Sequence, residues 1–312
     1  MRSKSDERLL EALTWDRMPL ALVGYVVVIL FPFAVTGGLL ALLGAATGEP
    51  FALVPLLVGL LVLRQINGFV VSLLYHRGMS HGAVRFHPKL EWCMRLWGWL
   101  FVGPGCRTWA SVHRVHHAVP DLPGDPHSPL LPGESFWTVG RQAFHAFSAA
   151  VADETHLQKY VAGLPDDRLE AFIRRDEQRR FGMLGLRFPV LLAGLTGLHL
   201  AMGHGLAVAA VGAVLTLPAT TGAVLSTSVF LIGGLAHVCG YRRFALRDGS
   251  ANLLPVDLLA WGEALHQNHH AYPSSCDLGV GRWEWDPGYQ LCRVLEAVGL
   301  VVELRGLPPR AR

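Results

Sequence analysis

His76-Arg77-Gly78-Met79-Ser80-His81, His113-Arg114-Val115-His116-His117 and His266-Gln267-Asn268-His269-His270 hold eight of the fifteen histidines in this chain. Each box follows, or lies between, long apolar runs, and His237 closes another such run. Imidazole is the commonest side-chain ligand for transition metals. Residues at i, i+3 and i+4 share a helix face. His113, His116 and His117 are therefore expected to aim at one volume, and His266, His269 and His270 at another. With His76, His81 and His237 they make nine candidate ligands. That exceeds the four of a closed zinc site, so two metal ions are expected. Neutral imidazoles suit iron, zinc or copper.

Working outward, the 312 residues are 51% hydrophobic and only 16% charged, with a mean hydropathy of +0.34. Soluble domains carry about 25% charged residues, so this chain is too apolar to be one. Apolar stretches cover 19–47, 51–75, 181–204 and 206–236, and each has the ~20 residues needed to cross a bilayer. The polar opening segment lacks the apolar core and small-residue cleavage site of a signal peptide, so the first span is expected to be retained. The turns near Gly48-Glu49-Pro50 and Gly205 lack Lys and Arg, while the N-terminal arm, the middle and the C-terminal region hold nearly all 27 basic residues. The positive-inside rule makes those three regions cytoplasmic. The expectation is an all-α, multi-pass membrane protein built as one domain over 1–312. It has four transmembrane helices and a cytosolic helical cap, 76–180 and 237–312, holding a histidine-rich site for two metals. Both termini and every box then lie on one side.

A net charge of +3 and a pI near 8.7 suit anionic lipid or an acidic redox partner and do not argue for nucleic acid. The five cysteines show no CxxC pairing and read as buried free thiols. Residues 90–103 are Trp-rich but too short to span, and read as an interfacial or buried helix. The Pro-, Asp- and Gly-rich stretch 120–133 reads as loop. Residues 166–180 read as a charged amphipathic helix facing solvent or lipid. Arg64, Gln65 and Asn67 fall near the middle of the second span, roughly 18 Å from His76 along a helix. An ionisable residue there is costly and by default functional. It reads either as inter-helix hydrogen bonding around one buried Arg, or as a substrate tunnel whose far end is polar or closed short. The fourth span is polar too, with Thr216, Thr220, Thr221, Ser226, Thr227 and Ser228.

The boxes resemble those of the membrane fatty-acid desaturases, in particular the stearoyl-CoA (delta-nine) type and its bacterial acyl-lipid relatives. His76–His81 looks like the first box, and His113–His117, followed by Asp125-Pro126-His127-Ser128, looks like the second. Gly262-Glu263-x-x-His266-x-x-His269-His270-Ala271-Tyr272-Pro273 is similar to the third, and Trp283-Glu284-Trp285-Asp286-Pro287-Gly288 to the segment after it. His237 matches the additional ligand after the fourth span. The resemblance implies a di-iron (Fe2+) site, dioxygen as co-substrate, and an acyl chain on CoA or a membrane lipid. It also implies electrons from a ferredoxin, a rubredoxin, or cytochrome b5 with its reductase, and a site at the cytoplasmic face of a bacterial inner membrane. It makes Trp109 a substrate contact, with Arg64 and Asn67 as further candidates.

This chain departs from the pattern in three places. Gly233 stands where an Asn usually holds a metal-bound water, Val112 where an acidic residue often precedes the second box, and Gly103, Pro104 and Gly105 where polar residues meet coenzyme A. With those replacements a lipid-bound chain fits as well as CoA, and Arg107, Arg114, Arg242 and Arg243 are candidates to meet phosphate on either carrier. Double-bond position, chain length and oligomeric state are not encoded in any of these motifs. A hydroxylase or other C–H oxidase on the same scaffold shares the first hydrogen abstraction. A histidine-rich metal carrier would instead bury its ligands near the membrane midplane.

Overall fold

The computed structural model describes residues 9–153, 155–179 and 185–308. Strand β1 (Leu9–Asp16) leads into helix α1 (Met18–Thr47), apolar on all sides and about 45 Å long at 1.5 Å per residue. It stops where Gly48 turns left-handed (φ 73°) and donates its N–H to the Gly44 carbonyl at 2.9 Å, a close that glycine makes without Cβ strain. Helix α2 (Leu53–Ser80) is regular as far as Phe69, then widens into π-helical turns over Val70–Ser80. Such widened turns concentrate at functional sites, and here they carry the first histidine.

The cap follows. Strand β2 (Val84–Phe86) leads to α3 (Pro88–Phe101), then α4 (Cys106–Ala118) with the second box, and α5 (Val139–Ala152). Helix α6 (Arg168–Glu177) is capped by Asp167, whose side chain accepts from the Glu170 N–H. Helix α7 (Arg187–Ala201) turns into α8 (Leu206–His237), which has π-helical turns at Pro218–Gly222 and Thr227–Ile232. Strand β3 (Gly240–Phe244), the short α9 (His266–Ala271), α10 (Pro287–Ala297) and strand β4 (Val301–Leu304) complete the chain.

Two ends of the helical layer are distinct. At one, the α1–α2 and α7–α8 turns meet: the Gly205 N–H donates to Glu49 Oε2 at 2.7 Å, and Phe51 stacks on His204 at 4.1 Å. The other end of α2 carries His76, and the other end of α8 carries His237. Antiparallel pairing of β1 with β3 and of β2 with β4 ties both chain ends to segments beside those histidines. The hydroxyls of Thr216, Thr220, Ser226, Thr227 and Ser228 in α8 donate to carbonyls three or four residues earlier, so the helix satisfies its own polar groups.

Several expectations are adjusted by the fold. Among the described residues three helices, α1, α2 and α8, are long and apolar enough to cross a membrane. The stretch expected at 181–204 yields α7, only 15 residues or about 22 Å, against a hydrocarbon core of about 30 Å; residues 181–184 lie outside the described residues. The fold is mostly helical but includes two two-stranded sheets, which an all-α reading omits. Residues 90–103 form the half-buried α3, as anticipated.

The charged helix at 166–180 is a correction: it does not simply face solvent or lipid. Glu170, Asp176 and Glu177 of α6 are buried. Glu170 pairs with Arg95 at 3.1 Å, Asp176 accepts from Trp99 Nε1 at 2.9 Å, and Glu177 accepts from the Gly105 N–H and from Thr108 Oγ1 at 2.9 Å. A periodicity reading marks charges as outward because it does not see buried partners on α3 and α4. Gly105 also accommodates α6 closely: a Cβ there would sit 2.7 Å from Ile173 Cγ2.

Burial pushes the Glu177 carboxyl up to about 7 from an ordinary 4.5, against the lowering effect of its bonds from Gly105 and Thr108. A carboxyl raised in the folded state contributes stability that is complete below pH 4.5 and is lost as pH rises through about 7. Glu177→Gln keeps an acceptor for Gly105 and a partner for Thr108 without the buried charge. Its melting temperature in detergent should exceed that of the wild type at about pH 8 and converge with it near pH 5. A difference independent of pH would contradict this account.

Candidate metal centre

Each histidine box is delivered by a different element: His76 by the last turns of α2, His81 by the loop after it, the second box by α4, His237 by the end of α8, and the third box by α9. All nine side chains converge in two adjoining groups. His76, His81, His113, His117 and His269 form one, and His116, His237, His266 and His270 the other, each with its ligand atoms within 4.8 Å of one another. In the first group Nε2 of His269 lies 2.9 Å from Nε2 of both His76 and His117, and His113 lies 3.0 Å from His81. In the second, His237 and His266 approach to 2.9 Å, and His116 and His270 to 3.4 Å. The groups abut, with the His117 and His270 rings 4.6 Å apart.

This partition corrects one expectation. Each H-x-x-H-H triple does not serve one volume. His113 and His117 face the first group while His116 faces the second; His266 and His270 face the second while His269 faces the first. At about 100° per residue, positions i and i+4 lie about 40° apart on a helix, whereas i+3 and i+4 lie about 100° apart. Two crossing helices can therefore share their ligands reciprocally between adjacent centres.

Carboxylates fix the ring orientations. His76 Nδ1 lies 2.6 Å from Glu263, His116 Nδ1 3.0 Å from Asp125, His237 Nδ1 2.9 Å from Asp121, and His270 Nδ1 3.4 Å from Asp248. With Nδ1–H donated outward, each Nε2 presents its lone pair inward, the arrangement found behind metal-bound histidines. Burial first, and neighbouring histidines second, hold His81, His113, His117, His266 and His269 well below the ordinary imidazole value. Burial takes His270 down to about 4 despite the opposing pull of Asp248. These rings are neutral at pH 7. Burial alone would raise Asp121, Asp125 and Asp248, but hydrogen bonds and charge from their histidine partners bring each below the usual carboxylate value. Nitrogen lone pairs turned toward one another at about 3 Å repel unless a cation lies between them, so this donor set fits two transition-metal ions.

Glu263 is a junction. It takes His76 through Oε2 and Ser72 through Oε1, and meets Arg77 at 3.3 Å. The fully buried Arg77 also holds Asp286 at 2.5 Å and the Cys276 carbonyl at 2.7 Å, which locks the third-box segment onto α2. Asp125 and Glu263 stood in the quoted motifs, but without an assigned role. Asp121 and Asp248 carry no local signal; only their contacts with distant histidines reveal them.

Trp109 stacks on His113 at 4.9 Å and, with Arg64, lines a narrow apolar cavity that reaches His76, His116 and His266. Asn67 is not among that lining: its Oδ1 accepts from Trp97 Nε1 at 2.8 Å, between helices. His127 stacks on His116 at 4.8 Å, and a Cβ on Gly233 would lie 3.1 Å from its Nδ1, so glycine there makes room for this ring. Gly103, Pro104 and Gly105 are buried, Gly103 against Arg187 of α7 and Gly105 against Ile173 and Glu177 of α6. Arg114 does not stand ready for phosphate, because it donates to the carbonyls of Met79, Ser80, Tyr160 and Ala162. Arg242 donates to the Gly249 carbonyl and Arg243 to Glu284.

Residues 50–284 match the family model described as fatty acid desaturase. The hex-5-enoyl-[acyl-carrier protein] acetylenase of Moorena producens (strain JHB) is 30% identical over 254 residues, spanning 80% of this chain and 76% of that protein. Delta-9 acyl-lipid desaturase 2 of Arabidopsis thaliana is 28% identical over 241 residues, 77% of this chain and 71% of its own. The sn-2 palmitoyl-lipid 9-desaturase of Nostoc sp. (strain 36) is 28% identical over 256 residues, 81% and 83% respectively.

If Asp121 and Glu263 act by fixing ring tautomer and direction, Asp121→Asn and Glu263→Gln should each weaken binding of a divalent transition-metal ion by about 10–100-fold while the protein stays folded. Competition with a chromogenic chelator, alongside a circular dichroism spectrum, measures both. Unchanged metal affinity in both variants would remove the orienting role.

Proposed function

Because the chain belongs to the fatty acid desaturase family of oxidoreductases, we propose that it is an integral-membrane, di-iron, dioxygen-dependent desaturase that puts a double bond into an acyl chain. The observation that carries this reading is the facing of nine imidazole Nε2 atoms in two adjoining, carboxylate-backed groups. His76, His81, His113, His117 and His269 would hold one iron, and His116, His237, His266 and His270 the other. Two Fe2+ ions so bound would supply the activation of dioxygen that removes two hydrogens from adjacent carbons, with two further electrons and two protons completing reduction of O2 to two waters.

The protein's own contribution is placement and exclusion of water. The acyl chain lies in the apolar cavity between α2 and α8, with Trp109 as a flat wall that keeps it against the histidines. Burial keeps His81, His113, His117, His266, His269 and His270 neutral and the acyl chain dry. The chain is carried by a membrane lipid, CoA or a carrier protein. The names of the relatives cover acyl-lipid and acyl-carrier-protein substrates, and the burial of Gly103, Pro104 and Gly105 removes a polar surface that a CoA head would use. A ferredoxin, a rubredoxin, or cytochrome b5 with its reductase delivers the electrons one at a time.

In this reading α7 is the fourth crossing, paired with α8. The meeting of the α1–α2 and α7–α8 turns, far from the histidines, supports that topology. Both termini and the metal centre lie on the cytoplasmic side of a bacterial inner membrane, in keeping with the distribution of Lys and Arg.

Expression in a host that makes no unsaturated fatty acids, together with a competent electron donor, should yield lipids lighter by two hydrogens. Products heavier by one oxygen would identify a hydroxylase instead, and no new product would defeat the reading. Iron should be bound at about two per chain, and His117→Ala should lower that content and cut product formation by at least about 100-fold.

A further inference from the structure

The apolar cavity does not end in hydrocarbon. Its α2 wall is one helical stripe, Arg64, Gly68, Val71, Ser72 and His76, spaced so that all five share a face. His76 stands at the histidine end and Arg64 twelve residues earlier at the other, at most roughly 18 Å away because the π-helical turns of Val70–Ser80 rise less per residue than an α-helix. Arg64 is 1% exposed. Its Nη1 donates to Gln65 Oε1 at 2.7 Å and to the Leu259 carbonyl at 2.5 Å, and its Nη2 donates to Thr227 Oγ1 at 2.9 Å. Nε is buried without a hydrogen-bond partner among the described residues.

A guanidinium has five N–H donors, so two remain here, Nε–H among them. The three partners are all neutral acceptors. Asp257 acts on Arg64 electrostatically, but its oxygens are committed to Tyr25, to the Ala260 N–H at 2.8 Å and to the Ala264 N–H at 2.9 Å. Buried charges are ordinarily paired, because an uncompensated ion loses its hydration and gains nothing for it. If Arg64 served only to join helices, neutral acceptors on all its N–H groups would suffice, whereas here donors are left over beside the cavity. A hydrocarbon terminus would meet those donors and satisfy none of them. A carboxylate would satisfy both the spare donors and the charge.

We infer that Arg64 determines specificity, receiving a carboxylate at the far end of the chain, so that the preferred substrate is an ω-carboxylated acyl chain whose length is set by the distance from the histidine centre to Arg64. This rests on the desaturase reading for what happens to the chain, but the binding preference can be measured separately.

The probes are the methyl ester of dodecanoic acid and the monomethyl ester of dodecanedioic acid, bound to the full-length iron-loaded protein in detergent micelles. The half-ester should bind the wild type at least about tenfold more tightly, and Arg64→Leu should reverse that order. Equal binding of the two probes by the wild type, or an unchanged preference in Arg64→Leu, would overturn the assignment. Should Arg64→Leu fail to fold, the wild type suffices: thermal stabilisation by half-esters of increasing length should peak at one length, and a flat response would overturn it. Oxidation of both esters without any preference would sink the Arg64 assignment and leave the desaturase reading standing. A clear half-ester preference without oxidation of either probe would uphold the assignment and count against the desaturase reading.

Discussion

Imidazoles turned nitrogen to nitrogen at about 3 Å constitute the constraint on which the rest of this molecule depends. Lone pairs so opposed do not hold themselves together. They stay in place because carboxylates pin the outer nitrogens of His76, His116, His237 and His270, and because each pinning carboxylate is itself fastened elsewhere. Glu263 is secured by Ser72 and Arg77, Asp125 by the backbone of Asp121 and His127, and Asp121 by Ser128 and the Gly249 N–H. The cap is in effect a hydrogen-bonded frame around a set of donors arranged to suit a metal cation.

Helix irregularity serves that frame. The widened turns of α2 bring His76 to Glu263 and leave Arg77 pointing into the core, where it binds the segments on either side of the third box. Reciprocal sharing of the two H-x-x-H-H triples makes the groups mutually dependent, since a shift of α4 or α9 would disturb both at once. Buried acidic groups of α6 brace α4 from behind through Gly105 and Thr108, so a helix that reads as surface is part of the support for the second box.

The helical layer has its own polar economy. Hydroxyls in α8 return to their own helix, Asn67 engages Trp97, and the two turns opposite the histidines are joined through Glu49, Phe51 and His204. Arg64 departs from this closed accounting: it is a buried cation with donors to spare beside an apolar cavity. Its position against that cavity is what turns a residue that reads from sequence as either helix glue or a tunnel end into a question of substrate chemistry.

The spacing of the boxes, the apolar runs and the position of His237 were enough to pick out nine histidines that converge in the fold and to expect an all-α membrane protein, which the mostly helical structure with its two small sheets meets in part, because helical periodicity and hydropathy are local properties. The same local logic misjudged α6 and sent each triple to a single volume, and it read the 181–204 stretch as a longer helix than α7. The carboxylates behind the rings were hidden for a related reason: Asp121 reaches His237 across 116 residues of chain, and no short pattern encodes that contact. What the sequence by itself determined is therefore the donor set and the apolar medium around it. The tertiary structure alone decided which histidines cluster together, which acids lie behind their rings and that Arg64 borders the apolar cavity with donors to spare, because those follow from the crossing of elements far apart in the chain.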